Sequence, residues 1–96
     1  TSDIKYKDNI KLIDNPINKI LQLRGVTWDW NDKASKTQKT LPKTGLIAQE
    51  VEKVLPEVVE QDNIGHYQVN YSAIVPVLIE AIKELKNEIE ELKNNK

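Results

Sequence analysis

The segment "TSDIKYKDNI" at the head of the sequence carries a serine, Ser2, and five positions later a lysine, Lys7. A hydroxyl and a neutral amine are what a serine nucleophile with a lysine general base requires. A lysine ammonium ordinarily titrates near 10.4, so a lysine acting as a base near neutrality needs that value lowered by roughly three units. An exposed chain start cannot supply such a shift; burial against neighbouring chains can. The spacing alone carries little weight, because 13 of the 96 residues are lysine and a given serine meets one five positions on about one time in seven. Other chemistry is scarce. There is no cysteine and a single histidine, His66, which leaves no thiolate or paired-imidazole metal site and points to no metal and no cofactor. The absence of a disulfide framework fits a reducing compartment.

A pair of this kind has to be positioned by a small scaffold. A 96-residue chain forms one domain and buries a modest share of its surface alone, so partners are expected to complete the core. At 39% apolar and 30% charged it is too apolar for disorder and too charged for a membrane span, and its first residues lack the apolar run of a signal peptide. "DNPINKILQLRG" predicts a helix from about Pro16 to Arg24, capped by Asp14 or Asn15 and closed by Gly25. "VTWDWN" switches to period two, with Val26, Trp28 and Trp30 on one face, and reads as a half-buried strand whose tryptophans are core rather than a binding platform. "NDKASKTQKTLPKT" reads as a long solvated loop; its Lys33, Lys36, Lys39 and Lys43 favour solvent over a polyanion, since the net charge is −1 and no aromatics interleave. "TGLIAQEVEKVLPEVV" places Ile47, Val51, Val54 and Leu55 on one helical face between Gly45 and Pro56, and "NIGHYQVNY" predicts a turn at Asn63–Gly65 followed by a strand through Tyr67, Val69 and Tyr71.

The end of the chain carries the clearest pattern. From Ser72 as N-cap, residues 72–96 read as one helix, with Pro76 tolerated near the first turn. Val75, Ile82 and Ile89 fall at a positions and Leu78, Leu85 and Leu92 at d positions of a heptad. Glu88 at g meets Lys93 at the following e of a parallel neighbour. Self-association is favoured over packing on the chain's own domain, because the last turns are polar everywhere except on that stripe. Branched residues at a with leucine at d favour two strands, although three heptads are few enough for the globular part to override the rule.

"SDIKYKDNI", "LRGVTWDW", "GLIAQEVEKVLPEVV" and "VNYSAIVPVLIEAIKELKNEIEELK", in that order, resemble the C-terminal intramolecular chaperone domain of phage tail spikes and fibres, the endosialidase-type chaperone or S74 peptidase domain. The resemblance covers almost the whole chain outside the Lys33–Lys43 loop; Lys5 departs from the arginine more usual there. It implies an α+β, mainly α fold: short helices and small β-hairpin elements followed by a long coiled-coil helix, assembled as a parallel homotrimer. Within one domain, residues 1–71 form the globular chaperone and autoprotease part and residues 72–96 the helix. The implied function is to trimerise, assist folding of an upstream fibrous segment of the same polypeptide, and depart by self-cleavage at the Thr1–Ser2 bond, with Ser2 and Lys7 as the catalytic pair. Implied partners are two further copies and that upstream segment, with no small-molecule substrate, no membrane and no nucleic acid. The implied location is a virion tail fibre or spike precursor assembled in the host cytoplasm. On this reading Asp3 orients the loop, and Asn9 and Gln49 are candidate positioning or oxyanion groups. A trimerisation module that never cuts would share the helix and core and differ only at Ser2 and Lys7.

Overall fold

The computed structural model describes residues 1–95; Lys96, the last residue of the predicted helix, lies outside the described residues. The elements are helix α1 (Pro16–Leu21), strand β1 (Val26–Thr27), strand β2 (Thr44–Gly45), helix α2 (Ala48–Glu52), strands β3 (Val59–Gln61) and β4 (Tyr67–Val69), and helix α3 (Val75–Asn94). Strands β1 and β2 pair antiparallel, as do β3 and β4, with Val59 opposite Val69 and Gln61 opposite Tyr67. The molecule is α+β, with small two-stranded sheets and a long final helix.

The core lies where α2 meets the foot of α3. Val51, Leu55, Val58, Ile74 and Val77 are buried together, and Ile13, Ile20, Leu23, Leu46 and Val69 pack around them. This is the face that the spacing of Val51, Val54 and Leu55 predicts. The helix itself ends at Glu52, short of the Pro56 boundary that the sequence suggests; a turn at Lys53 and Val54 follows, and a 3-10 turn at Pro56–Val58 leads directly into β3. The α1 helix lies against α3.

Four further boundaries differ from expectation, each for a local reason. Helix α1 ends at Leu21 rather than Arg24, and Gly25 does not close it. Asn15 occupies its N-cap with left-handed backbone (φ 48°) and no side-chain capping bond, while Asp14 pairs with Lys19 at 3.2 Å instead. The predicted Val26–Asn31 strand shrinks to Val26–Thr27, because β2 offers only two residues to pair with. Its alternation survives in the burial: Val26, Trp28 and Trp30 are half-buried and the residues between them exposed. The two indoles meet edge to face, with centroids 5.6 Å apart. Tyr71 leaves the strand for a 3-10 turn at Tyr71–Ala73, which is capped by the Asn70 side chain. Ser72 therefore is not the cap of α3. A helix starting there would require Pro76 to donate to the Ser72 carbonyl, which proline cannot do. The helix instead begins at Val75 with Pro76 as its second residue.

Candidate cleavage segment and the surfaces around it

Residues 1–12 are exposed throughout. Asp3 sits in extended backbone and its Oδ1 accepts from the Lys5 N–H at 3.0 Å, capping a single 3-10 turn at Ile4–Tyr6 that closes with Lys7 N–H donating to the Ile4 carbonyl at 3.1 Å. The Thr1 hydroxyl accepts from the Asp3 N–H at 3.3 Å. A 3-10 turn rises about 2 Å per residue against about 3.3 Å in a strand, so the turn draws Lys7 back toward Ser2. Beyond it, Asn9 adopts left-handed backbone (φ 55°), which asparagine tolerates better than most residues. Among the described residues no hydrogen bond joins Ser2 to Lys7.

Of the six cleavage-site residues expected from the sequence, five share this arm: Thr1, Ser2, Asp3, Lys7 and Asn9. Gln49 does not join them. It is exposed on α2 and borders a groove lined by Trp28, Trp30, Leu41, Tyr67 and Tyr71, to which no residue of the arm contributes. The arm also carries largely exposed apolar side chains: Ile4, Tyr6, Ile10 and Leu12 are 67–80% exposed, with the Lys5 ammonium 5.1 Å from the centroid of the Tyr6 ring.

Two arrangements went unread in the sequence. Arg24, the sole arginine, meets Glu50 with a two-pronged contact of 2.9 and 2.8 Å, tying the segment after α1 to α2. That hydrogen bond to Arg24 holds the Glu50 carboxyl below its ordinary range. Both residues sit inside "LRG" and "AQE", but only the fold brings stretches 26 residues apart together. The Tyr71 hydroxyl accepts from the Leu46 N–H at 2.9 Å. Gly45 (φ +153°) lies under it so closely that a Cβ there would stand 2.5 Å from the tyrosine oxygen. These residues border an apolar groove that runs from Ile20 and Leu23 to Ile74 and Leu78.

Helix α3 has two faces. Ile74, Val77 and Ala81 are buried against the rest of the chain. Beside them Val75, Leu78, Ile82, Leu85, Ile89 and Leu92 form a second apolar stripe, 41–68% exposed. His66, the single histidine, stands with its Nδ1 3.5 Å from a carboxylate oxygen of Asp62. No helix among the described residues is long and apolar enough to cross a membrane.

Residues 2–60 match the family described as the chaperone of endosialidase (Peptidase S74). The chain is similar to long tail fibre proteins Gp37: 34% identical over 101 residues to that of Enterobacteria phage K3, covering 97% of this chain and 8% of the relative. It is 34% identical over 108 residues to that of Salmonella phage S16, covering 98% of this chain and 14% of the relative. With Gp37 of Enterobacteria phage M1 the identity is 37% over 97 residues, or 96% of this chain and 38% of the relative. The chain thus spans well under half the length of these relatives.

Proposed function

The chain belongs to the endosialidase-chaperone family, and from that membership we propose that it is an intramolecular chaperone that assembles three parallel copies, helps an upstream tail fibre or spike segment to fold, and then releases itself by cutting the Thr1–Ser2 bond. The observation that carries this reading is the exposed apolar stripe from Val75 to Leu92. It lies on a chain whose accessible surface, 8154 Å², exceeds the roughly 5,600 Å² expected of a compact monomer of its mass by about 2,500 Å². Obligate partners cover one another on that scale. Ile79, at an e position and 50% exposed, widens the stripe beyond the narrow a/d seam of a two-stranded coil and favours three strands. Glu88 and Lys93 of successive copies pair across the seam and favour the parallel arrangement. Residues 1–71 act as the globular part and residues 72–96, which carry helix α3 (Val75–Asn94), as the assembly segment, in a fibre precursor assembled in the host cytoplasm.

In the cleavage step Ser2 Oγ attacks the Thr1 carbonyl carbon while Lys7, as the neutral amine, takes the hydroxyl proton. The amide C–N bond breaks, the Ser2 nitrogen receives a proton from Lys7, and the resulting ester on Ser2 is opened by water to a Thr1 carboxylate and a free Ser2 hydroxyl. Direct activation of water near that bond by Lys7 leads to the same products. Asp3 fixes the turn between the two residues, and Asn9 and Gln49 serve as positioning or oxyanion groups. A neighbouring copy that covers the arm, including Ile4, Tyr6, Ile10 and Leu12, desolvates Lys7, so cleavage waits for assembly.

The test is expression with an upstream segment and a denaturing gel. The parent is expected to give two bands, and Ser2→Ala and Lys7→Ala one each; full processing in either variant removes the dyad. A second reading, a trimerisation module that never cuts, is favoured by the exposure of Ser2 and Lys7 and, among the described residues, by the lack of a hydrogen bond between them. A parent that stays uncut although trimeric by sedimentation decides for it.

A further inference from the structure

Between the long loop after β1 and the β3–β4 turn lies a recess of about 290 Å³ lined by Trp30, Asn31, Lys33, Ala34, Gln38 and His66. Its amide side chains have their oxygens already engaged by the backbone. Asn31 Oδ1 accepts from the Lys33 N–H at 2.9 Å, and Gln38 Oε1 accepts from the Ser35 N–H at 2.8 Å. A backbone N–H can only be answered by the oxygen, so the orientation of each amide is set and its NH2 end is the one left over. Lys33 has no ion-pair partner among the described residues. The Asp62 carboxylate, which faces the His66 ring, is engaged by the N–H groups of Ile64 and His66 at 3.0 and 2.9 Å.

The recess is therefore lined by two amide side chains whose free ends are NH2 groups and by a lysine, beside one apolar wall, the Trp30 indole, whose own N–H is turned away to the Leu41 carbonyl. Such a set suits a ligand rich in acceptors, carrying one negative charge and one apolar face. We propose that this recess binds a saccharide of the uronic-acid type, its carboxylate on Lys33 and the NH2 groups of Asn31 and Gln38, and the C–H face of its ring against Trp30. Lys36, Lys39 and Lys43 lie outside the recess, which makes a small acidic sugar the better fit than a long polyanion. The proposal is independent of self-cleavage and of trimer formation.

The probe is sodium glucuronate, titrated into the 96-residue chain while the Trp30 indole N–H and the Asn31 and Gln38 side-chain NH2 signals are followed by NMR at constant ionic strength. Saturating shifts at all three are expected with glucuronate and not with glucose or acetate. Lys33→Gln and Gln38→Glu, the second of which keeps an oxygen for the Ser35 N–H, are expected to weaken binding by about tenfold each, the loss of one charge-assisted hydrogen bond. Equal binding of glucose overturns the role of the carboxylate, and equal binding of acetate overturns the saccharide. Glucuronate shifts that do not saturate, or that survive both substitutions, overturn the site itself.

Discussion

Single side chains set local geometry by answering backbone groups. Asp62 accepts from two N–H groups of its own turn, and these bonds, with the one from His66 the largest cause, hold its carboxyl below the ordinary value. A carboxyl whose folded pKa is depressed contributes stability that is present above its unfolded value and lost as pH falls through the folded one. Protection of the Ile64 and His66 amides, measured against their intrinsic exchange rates, should therefore fall as pH drops below the ordinary carboxyl range, and Asp62→Asn should remove that dependence. Gly45 is a second case, since its positive φ and the nearby Tyr71 hydroxyl both exclude a Cβ. Gly45→Ala should lower unfolding stability by about 1–3 kcal/mol, read from denaturant melts. Asp3 caps the turn between Ser2 and Lys7, so Asp3→Ala should slow processing on the gel while leaving the sedimentation coefficient unchanged.

At the scale of elements, short helices hold only because one face of each is buried. Helix α2 has five residues, too few to persist alone, and draws its stability from Val51 within it and Leu55 just beyond. Leu55 is fully buried in a core of few residues with little room to collapse. Leu55→Ala should cost about 2–5 kcal/mol in a denaturant titration. Helix α3 is different, because its two faces do separate work. Ile74, Val77 and Ala81 fasten it to its own chain, while Leu78, Ile82 and Leu85 of the exposed stripe border a groove beside Ile17, Ile20 and Leu21 of α1. Leu85→Lys on that stripe should leave helical content by circular dichroism nearly unchanged while shifting sedimentation toward monomer.

The whole molecule is drawn out: its radius of gyration is 17.3 Å, against about 12.5 Å for a compact chain of its length. The apolar periodicity that writes α2 and α3 is local, and from it the sequence alone determined the helix faces, the turn before β4 and the heptad stripe. The proposed Ser2–Lys7 pairing rests on the motifs around it, since its spacing is common by chance. What only the tertiary structure decided lies where distant stretches meet or a neighbouring residue overrides a pattern. Asn70 and Pro76 displaced the start of α3 from Ser72. The two residues of β2 limited β1, and Arg24 found Glu50 across 26 positions. Gln49 came to lie in a groove apart from the arm. Periodicity reports which face of an element is apolar, because it depends on residues three or four apart. Which partner covers that face depends on contacts that no local spacing encodes.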